Sequence, residues 1–151
     1  MKTTAMRNLF ICLLAFLVAC TLSSRAAVPE EDTIMVPIQK FFDGIAHRSA
    51  TEMKASAVPG APMLFMRDGV PSQSPIEEFA ERVARPGPPL GETIRDAVVR
   101  VDNDLAVVWA PAVFKIDGKV DHCATDVFVV VKKDGQWKIA SLSNARKKSC
   151  S

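Results

Sequence analysis

The chain has 151 residues, 48% hydrophobic and 24% charged, a composition that excludes disordered and collagen-like chains and suits one globular domain. Its formal charge of +2 comes from the N-terminal end, because Lys2 and Arg7 stand in the first 20 residues with no acid, and removing that stretch leaves a net charge of zero. A basic-patch argument therefore has no footing, and no nucleic-acid partner is expected.

Residues 1–20 have the form of a targeting signal. Lys2 and Arg7 make a positive start, and residues 9–19 (LFICLLAFLVA) are an apolar run too short for a membrane span, which needs about 20 residues. Leu17-Val18-Ala19-Cys20 resembles a bacterial lipobox, after which Cys20 is lipidated. Ordinary cleavage after Ala26, with Ser24 and Ala26 at the small-residue positions, is the alternative. Either cut exports the chain, as an envelope lipoprotein or as a periplasmic or secreted protein, with membrane contact only through the lipid. Residues 21–30 form a polar tether, and 31–150 a single domain.

The first helix has Ile34, Ile38, Phe41, Phe42 and Ile45 on one face, and Pro37 either places its start near Val36 or kinks an earlier turn. His47 and Arg48 suit the negative end of its dipole. A short helical turn at 51–55 ends at Pro59-Gly60. Residues 63–67 and 70–72 flank an Asp68-Gly69 hairpin turn. Ser74 then N-caps a second helix with Pro75 at its first position, and residues 85–89 (RPGPP) terminate it.

Three turn signals, Asn103-Asp104, Asp117-Gly118 and Asp134-Gly135, divide the last third into four strands at 92–102, 105–116, 119–133 and 136–146. Short turns make them antiparallel neighbours, and Pro111 predicts a bulge in the second. The fold class is α+β, a curved antiparallel sheet wrapped around a long N-terminal helix.

Two-residue turns place Trp109 and Ser143 opposite Asp126, Val113 opposite His122, and Ser141 opposite Phe128. One face then gathers His122, Asp126, Phe128, Val130, Val107, Trp109, Ser141 and Ser143, a mixture of aromatic and ionisable groups of the kind that lines ligand pockets. Asp126 and His122 are the candidate general bases, although at four residues' separation they stand about 13 Å apart. Trp109, Phe128, Ser141, Ser143 and Phe41 are the candidate ligand contacts. The structural readings come first: Asp126 as a satisfied buried carboxylate bonded to Ser143 or Trp109, His122 as a structural histidine at the pocket rim, and Trp137 as a core anchor. Cys123 and Cys150 form a disulfide only if the tail curls back over roughly 13 Å. The remaining Cys and His are too scattered for zinc, and neither metal nor cofactor is expected.

The run His122-Cys123-Ala124-Thr125-Asp126-Val127-Phe128, followed by Asp134-Gly135-Gln136-Trp137-Lys138-Ile139 and a basic ending with Cys150, resembles the nuclear transport factor 2-like superfamily, and within it the SnoaL-like and "Putative lumazine-binding" group. Glu77-Glu78-Phe79 and Asp117-Gly118-Lys119 agree with it, and the resemblance spans residues 29–150. It implies a cone-shaped, cystatin-like α+β barrel with a pocket between helix and sheet, often a homodimer through the sheet. Members of that superfamily include isomerases, dehydratases and non-catalytic binding modules. This chain has no Tyr and so lacks the tyrosine apparatus of the ketosteroid-isomerase and scytalone-dehydratase-like enzymes. Ala124 stands where the group commonly has Gly. The expected role is to hold a small apolar or aromatic molecule. The alternatives are a lyase or isomerase using Asp126 or His122, and a non-catalytic interaction module of the envelope.

Overall fold

The computed structural model describes residues 30–150. The leader, Cys20 and all of the tether except Glu30 lie outside the described residues.

Helix α1, Glu30–Ala46, starts well before Val36. Three acids, Glu30, Glu31 and Asp32, occupy its first turn, where the dipole favours negative charge, and Thr33 Oγ1 donates to the Glu30 carbonyl at 2.7 Å. Pro37 is tolerated inside the helix, with its ring on the buried face beside Ile34, Ile38, Phe41 and Ile45. The chain leaves the helix through Arg48 at φ 53°, and the amides of His47, Arg48 and Ser49 donate back to the carbonyls of Asp43, Ile45 and Gly44. The His47 side chain meets Glu52 at 2.9 Å. Gly44 lets α2, Ala50–Ala55, pack close, since a Cβ there would lie 2.7 Å from Met53 Cγ and 2.9 Å from its backbone nitrogen.

Strands β1 (Pro62–Arg67) and β2 (Val70–Pro75) form the expected hairpin, with Asp68 and Gly69 both at positive φ. β2 runs farther than predicted, and that overrides the Ser74 cap. Ser74 pairs with Met63 in the ladder, its hydroxyl is buried without a partner, and α3 (Ile76–Val83) starts after Pro75 with no side-chain cap. The Ile76 amide donates to the Ala61 carbonyl, and the Glu77 carboxylate accepts from the Gly60 amide at 2.9 Å.

The predicted first strand of the meander is two, β3 (Leu90–Ile94) and β4 (Val98–Asp102), separated by a turn with Asp96 at φ 45°. Both pair with β5 (Leu105–Ile116), at opposite ends of it. Pro111 falls at the break between them, where the Arg95 amide donates to its carbonyl. The missing N–H costs no ladder bond there, so no bulge forms at Pro111. β6 (Lys119–Lys133) and β7 (Gln136–Arg146) complete a sheet of order β2-β1-β7-β6-β5-β3, with β1 parallel to β7 and the other pairs antiparallel. α1 lies against its concave face over Val108, Phe128, Val130 and Ile139. Trp137 anchors the same core, 7% exposed, with Lys132 Nζ 5.4 Å from its ring centre.

Candidate functional site

Two one-residue bulges decide which side chains face inward. Next to the Asp117-Gly118 turn the pairs are Ile116↔Lys119 and Lys115↔Val120, and the next is Phe114↔His122, which leaves Asp121 as the extra residue. In β7 the ladder steps from Val130↔Ile139 to Val129↔Ser141, which leaves Ala140. A one-residue slip moves a strand's side chains to the other face. Asp126 therefore faces Ala110 and Asn144, in place of Trp109 and Ser143. Trp109 is 55% exposed on the outer face, and Ser141 and Ser143 lie half-buried on that same side. Val107 goes with them. All four expected positions are thus corrected, whereas His122, Asp126, Phe128 and Val130 do share the inner face.

The concave side holds a partly open cavity of about 110 Å³, with His122 at the end of the sheet where β6 begins. Its aromatic wall is a row of rings. Phe79 of α3 stacks between Phe41 of α1 (5.8 Å) and Phe65 of β1 (5.6 Å). Phe41 thus lines the cavity. Phe128 is buried deeper, edge-on to Phe42 at 5.9 Å, and is not part of the lining. Met63, Val83 and Leu142 supply aliphatic surface.

Against these apolar walls stand two acids. Asp126 is 1% exposed; its Oδ1 accepts from Asn144 Nδ2 at 2.6 Å, and its Oδ2 is buried without a partner. Glu92, on β3 at the register of Phe114, also lines the cavity. Burial raises Glu92 to about 8, with the nearby Asp126 charge as the second cause. Burial raises Asp126 to about 6, against the opposing pull of the Asn144 hydrogen bond. Between those values the pair holds one proton, so one member can donate a hydrogen bond while the other accepts one. Neither Glu92 nor Asn144 is among the residues predicted from sequence. Glu92 carries a readable signal, an acid midway between Leu90 and Ile94 on an alternating apolar face.

His122 stands at the mouth, its side chain 15% exposed, its ring 5.2 Å from that of Phe114 and its Nδ1 2.7 Å from Asp121 Oδ2. The bulge brings Asp121 and His122, which regular alternation would send to opposite faces, within reach of each other. Arg146 Nη2 joins them, 3.6 Å from Asp121 Oδ2. The His122 contact is the main reason the Asp121 carboxyl is held below its ordinary range. His122 and Asp126 thus have separate partners and do not form a dyad. The tail does curl back: the Lys147 amide donates to the Cys123 carbonyl, and Cys123 and Cys150 are bonded, with Cα atoms 5.2 Å apart. Among the described residues, no group of three or more His, Cys, Asp or Glu could hold a metal ion, and no helix is long and apolar enough to cross a membrane.

Comparison with solved structures places this architecture among cystatin-like, nuclear transport factor 2-like folds. A function-unknown protein of Mycobacterium tuberculosis is 19% identical, with a TM-score of 0.69 over 80% of this chain and 73% of that one. An NTF2-like protein of Cytophaga hutchinsonii is 16% identical, with a TM-score of 0.68 over 80% of this chain and 100% of that one. A "Putative Scytalone Dehydratase" of Novosphingobium aromaticivorans is 13% identical, with a TM-score of 0.62 over 78% and 84%. No curated protein matches the chain. The model of the family described as "Putative lumazine-binding" matches residues 29–143, and the chain belongs to that family, within the nuclear transport factor 2-like superfamily.

Proposed function

We propose that this is an exported small-molecule-binding protein whose cavity takes the narrow, hydrogen-bonding end of a ligand between Glu92 and Asp126. The observation that carries this reading is the buried, unpartnered Oδ2 of Asp126 in the wall of an otherwise apolar cavity. A buried polar atom without a partner is costly, and a ligand group can satisfy it. Size constrains the ligand. About 110 Å³ is less than the roughly 150 Å³ that houses a benzene. A bicyclic ring such as lumazine is larger still and would have to stand in the mouth. Export is supported by the disulfide, which belongs to oxidising compartments, and by the leader with Cys20 as its lipidation point.

Native mass spectrometry of the protein purified from its source tests the reading. The wild type is expected to carry a small molecule that the cavity-filling Val83→Phe variant loses. Equal retention by both variants contradicts it.

A second reading, proton transfer on a carbonyl or hydroxy compound, is favoured by the raised values of two carboxyls that line one cavity, which suit an acid and a base near neutral pH. In that case Asp126→Asn keeps binding and loses turnover. We also read the outer sheet face, with Leu105, Val107 and Trp109 exposed, as the surface of a homodimer.

A further inference from the structure

The cavity is too small for most ligands to enter whole, so what stands outside its mouth matters. His122 lines both the cavity and an outer cleft of about 980 Å³, bounded on one side by the β1–β2 turn and on the other by the tail from Arg146 to Cys150. Cations dominate this end of the molecule. Arg67 stands at the cavity mouth, 6.0 Å over the Phe65 ring, and Arg146, Lys147 and Lys148 line the cleft. Of the two acids on the cleft, Asp121 is engaged by His122 and Arg146, and Asp68 sits in the turn. Arg67, Lys147 and Lys148 form no ion pair among the described residues. Across the disulfide a second cleft adds Arg95 and Lys115 around Lys147, with Asp96 as its acid.

The lysines do not ride on the sheet. Beyond Arg146 the tail has left the β7 ladder and is fixed at two points, the Lys147 amide on the Cys123 carbonyl and the disulfide at Cys150. The covalent anchor turns a charged chain end, which would otherwise sweep through solvent, into one wall of a cleft.

We propose that this wall is an anion-binding subsite: Arg67, Arg146, Lys147 and Lys148 receive the carboxylate or phosphate end of a ligand whose other end reaches Glu92 and Asp126, and the Cys123–Cys150 disulfide holds the subsite in shape. The proposal rests on the cavity reading above and adds the ligand's second half. Charge-assisted bonds to several cations favour an oxyanion, and the Arg67 guanidinium can meet it with two parallel bonds.

The test is a titration of 15N-labelled protein at 0.15 M NaCl with three probes: inorganic phosphate, 1,4-butanediol and 4-hydroxybutyl phosphate. Phosphate is expected to shift the amides of Arg67 and residues 146–148 saturably, and to do so no longer in the Lys147→Ala/Lys148→Ala double variant. The phosphate ester is expected to bind at least tenfold tighter than either phosphate or the diol. The Cys123→Ser/Cys150→Ser variant, or the reduced wild type, should lose about tenfold in ester affinity while its core amides stay dispersed. Phosphate that shifts none of these amides, or that binds the double-lysine variant equally well, overturns the subsite. An ester no tighter than phosphate overturns its link to the cavity. A diol that fails while the ester binds tightly supports the subsite, and counts only against the cavity holding a ligand unaided.

Discussion

Among single residues, two carboxyls line the cavity, Asp126 fully buried and Glu92 half-buried. Burial raises both above their ordinary values of 3.8 and 4.5, so the folded chain binds their protons more tightly than the unfolded chain does. Their contribution to stability is therefore full below about pH 4 and is lost as pH rises through about 6 and then about 8. Glu92→Gln should remove most of that loss. Chemical unfolding at pH 5 and pH 8.5 is expected to show the variant gaining on the wild type at the higher pH by on the order of 2–4 kcal/mol. A gain that is the same at both pH values would mean that Glu92 is not the titrating group. Asn144 acts in the opposite sense, since its amide favours the ionised Asp126. Asn144→Leu should therefore cost about 1–3 kcal/mol above pH 6 and less at pH 5. The same two-pH unfolding experiment checks it.

At the scale of elements, the strand boundaries of β5, β6 and β7 were legible because Asp117-Gly118 and Asp134-Gly135 are turn dipeptides, and both adopt the positive φ that such turns demand. The inner face was legible only in part, because hairpin register counted outward from a turn is valid as far as the first bulge. In β7 a signal was present. The apolar spacing runs Trp137, Ile139, Leu142, two and then three, so the period breaks at Ala140. In β6 nothing about Asp121 as a residue type marks it as extra. The Ser74 cap failed for a different reason, since a ladder partner in β1 outbid the local capping box.

The loop before β3 gives another element-scale prediction. Arg48 donates to the carbonyls of Val83 and Arg85 at 2.7 Å each and to that of Pro88, tying the end of α3 to the segment that leads to Glu92. Arg48→Lys keeps the charge but cannot reach all three acceptors. It should lower stability by about 1–3 kcal/mol and speed hydrogen exchange at residues 84–91 while leaving β6 and β7 protected.

At the scale of the whole molecule, the sheet has two surfaces with different roles. The concave side is filled by α1 and the cavity. The convex side exposes Leu105, Val107, Trp109 and Val98, a contiguous apolar group on the outer face. Trp109→Arg is expected to halve the mass seen by light scattering after size exclusion, and a wild type that is already a monomer contradicts the dimer. The disulfide acts across the fold as well, joining the tail to β6 over a separation of 27 residues. Its reduction should lower stability by about 2–4 kcal/mol, read by chemical unfolding with and without reductant.

Burial in the cavity wall raises both Glu92 and Asp126, and carboxyl 13C chemical shifts followed from pH 4 to pH 9 report the two groups separately. Asp126 is expected to ionise first, near pH 6, while Glu92 keeps its proton through neutrality and releases it near pH 8. Both carboxyls fully ionised by pH 5 would contradict it.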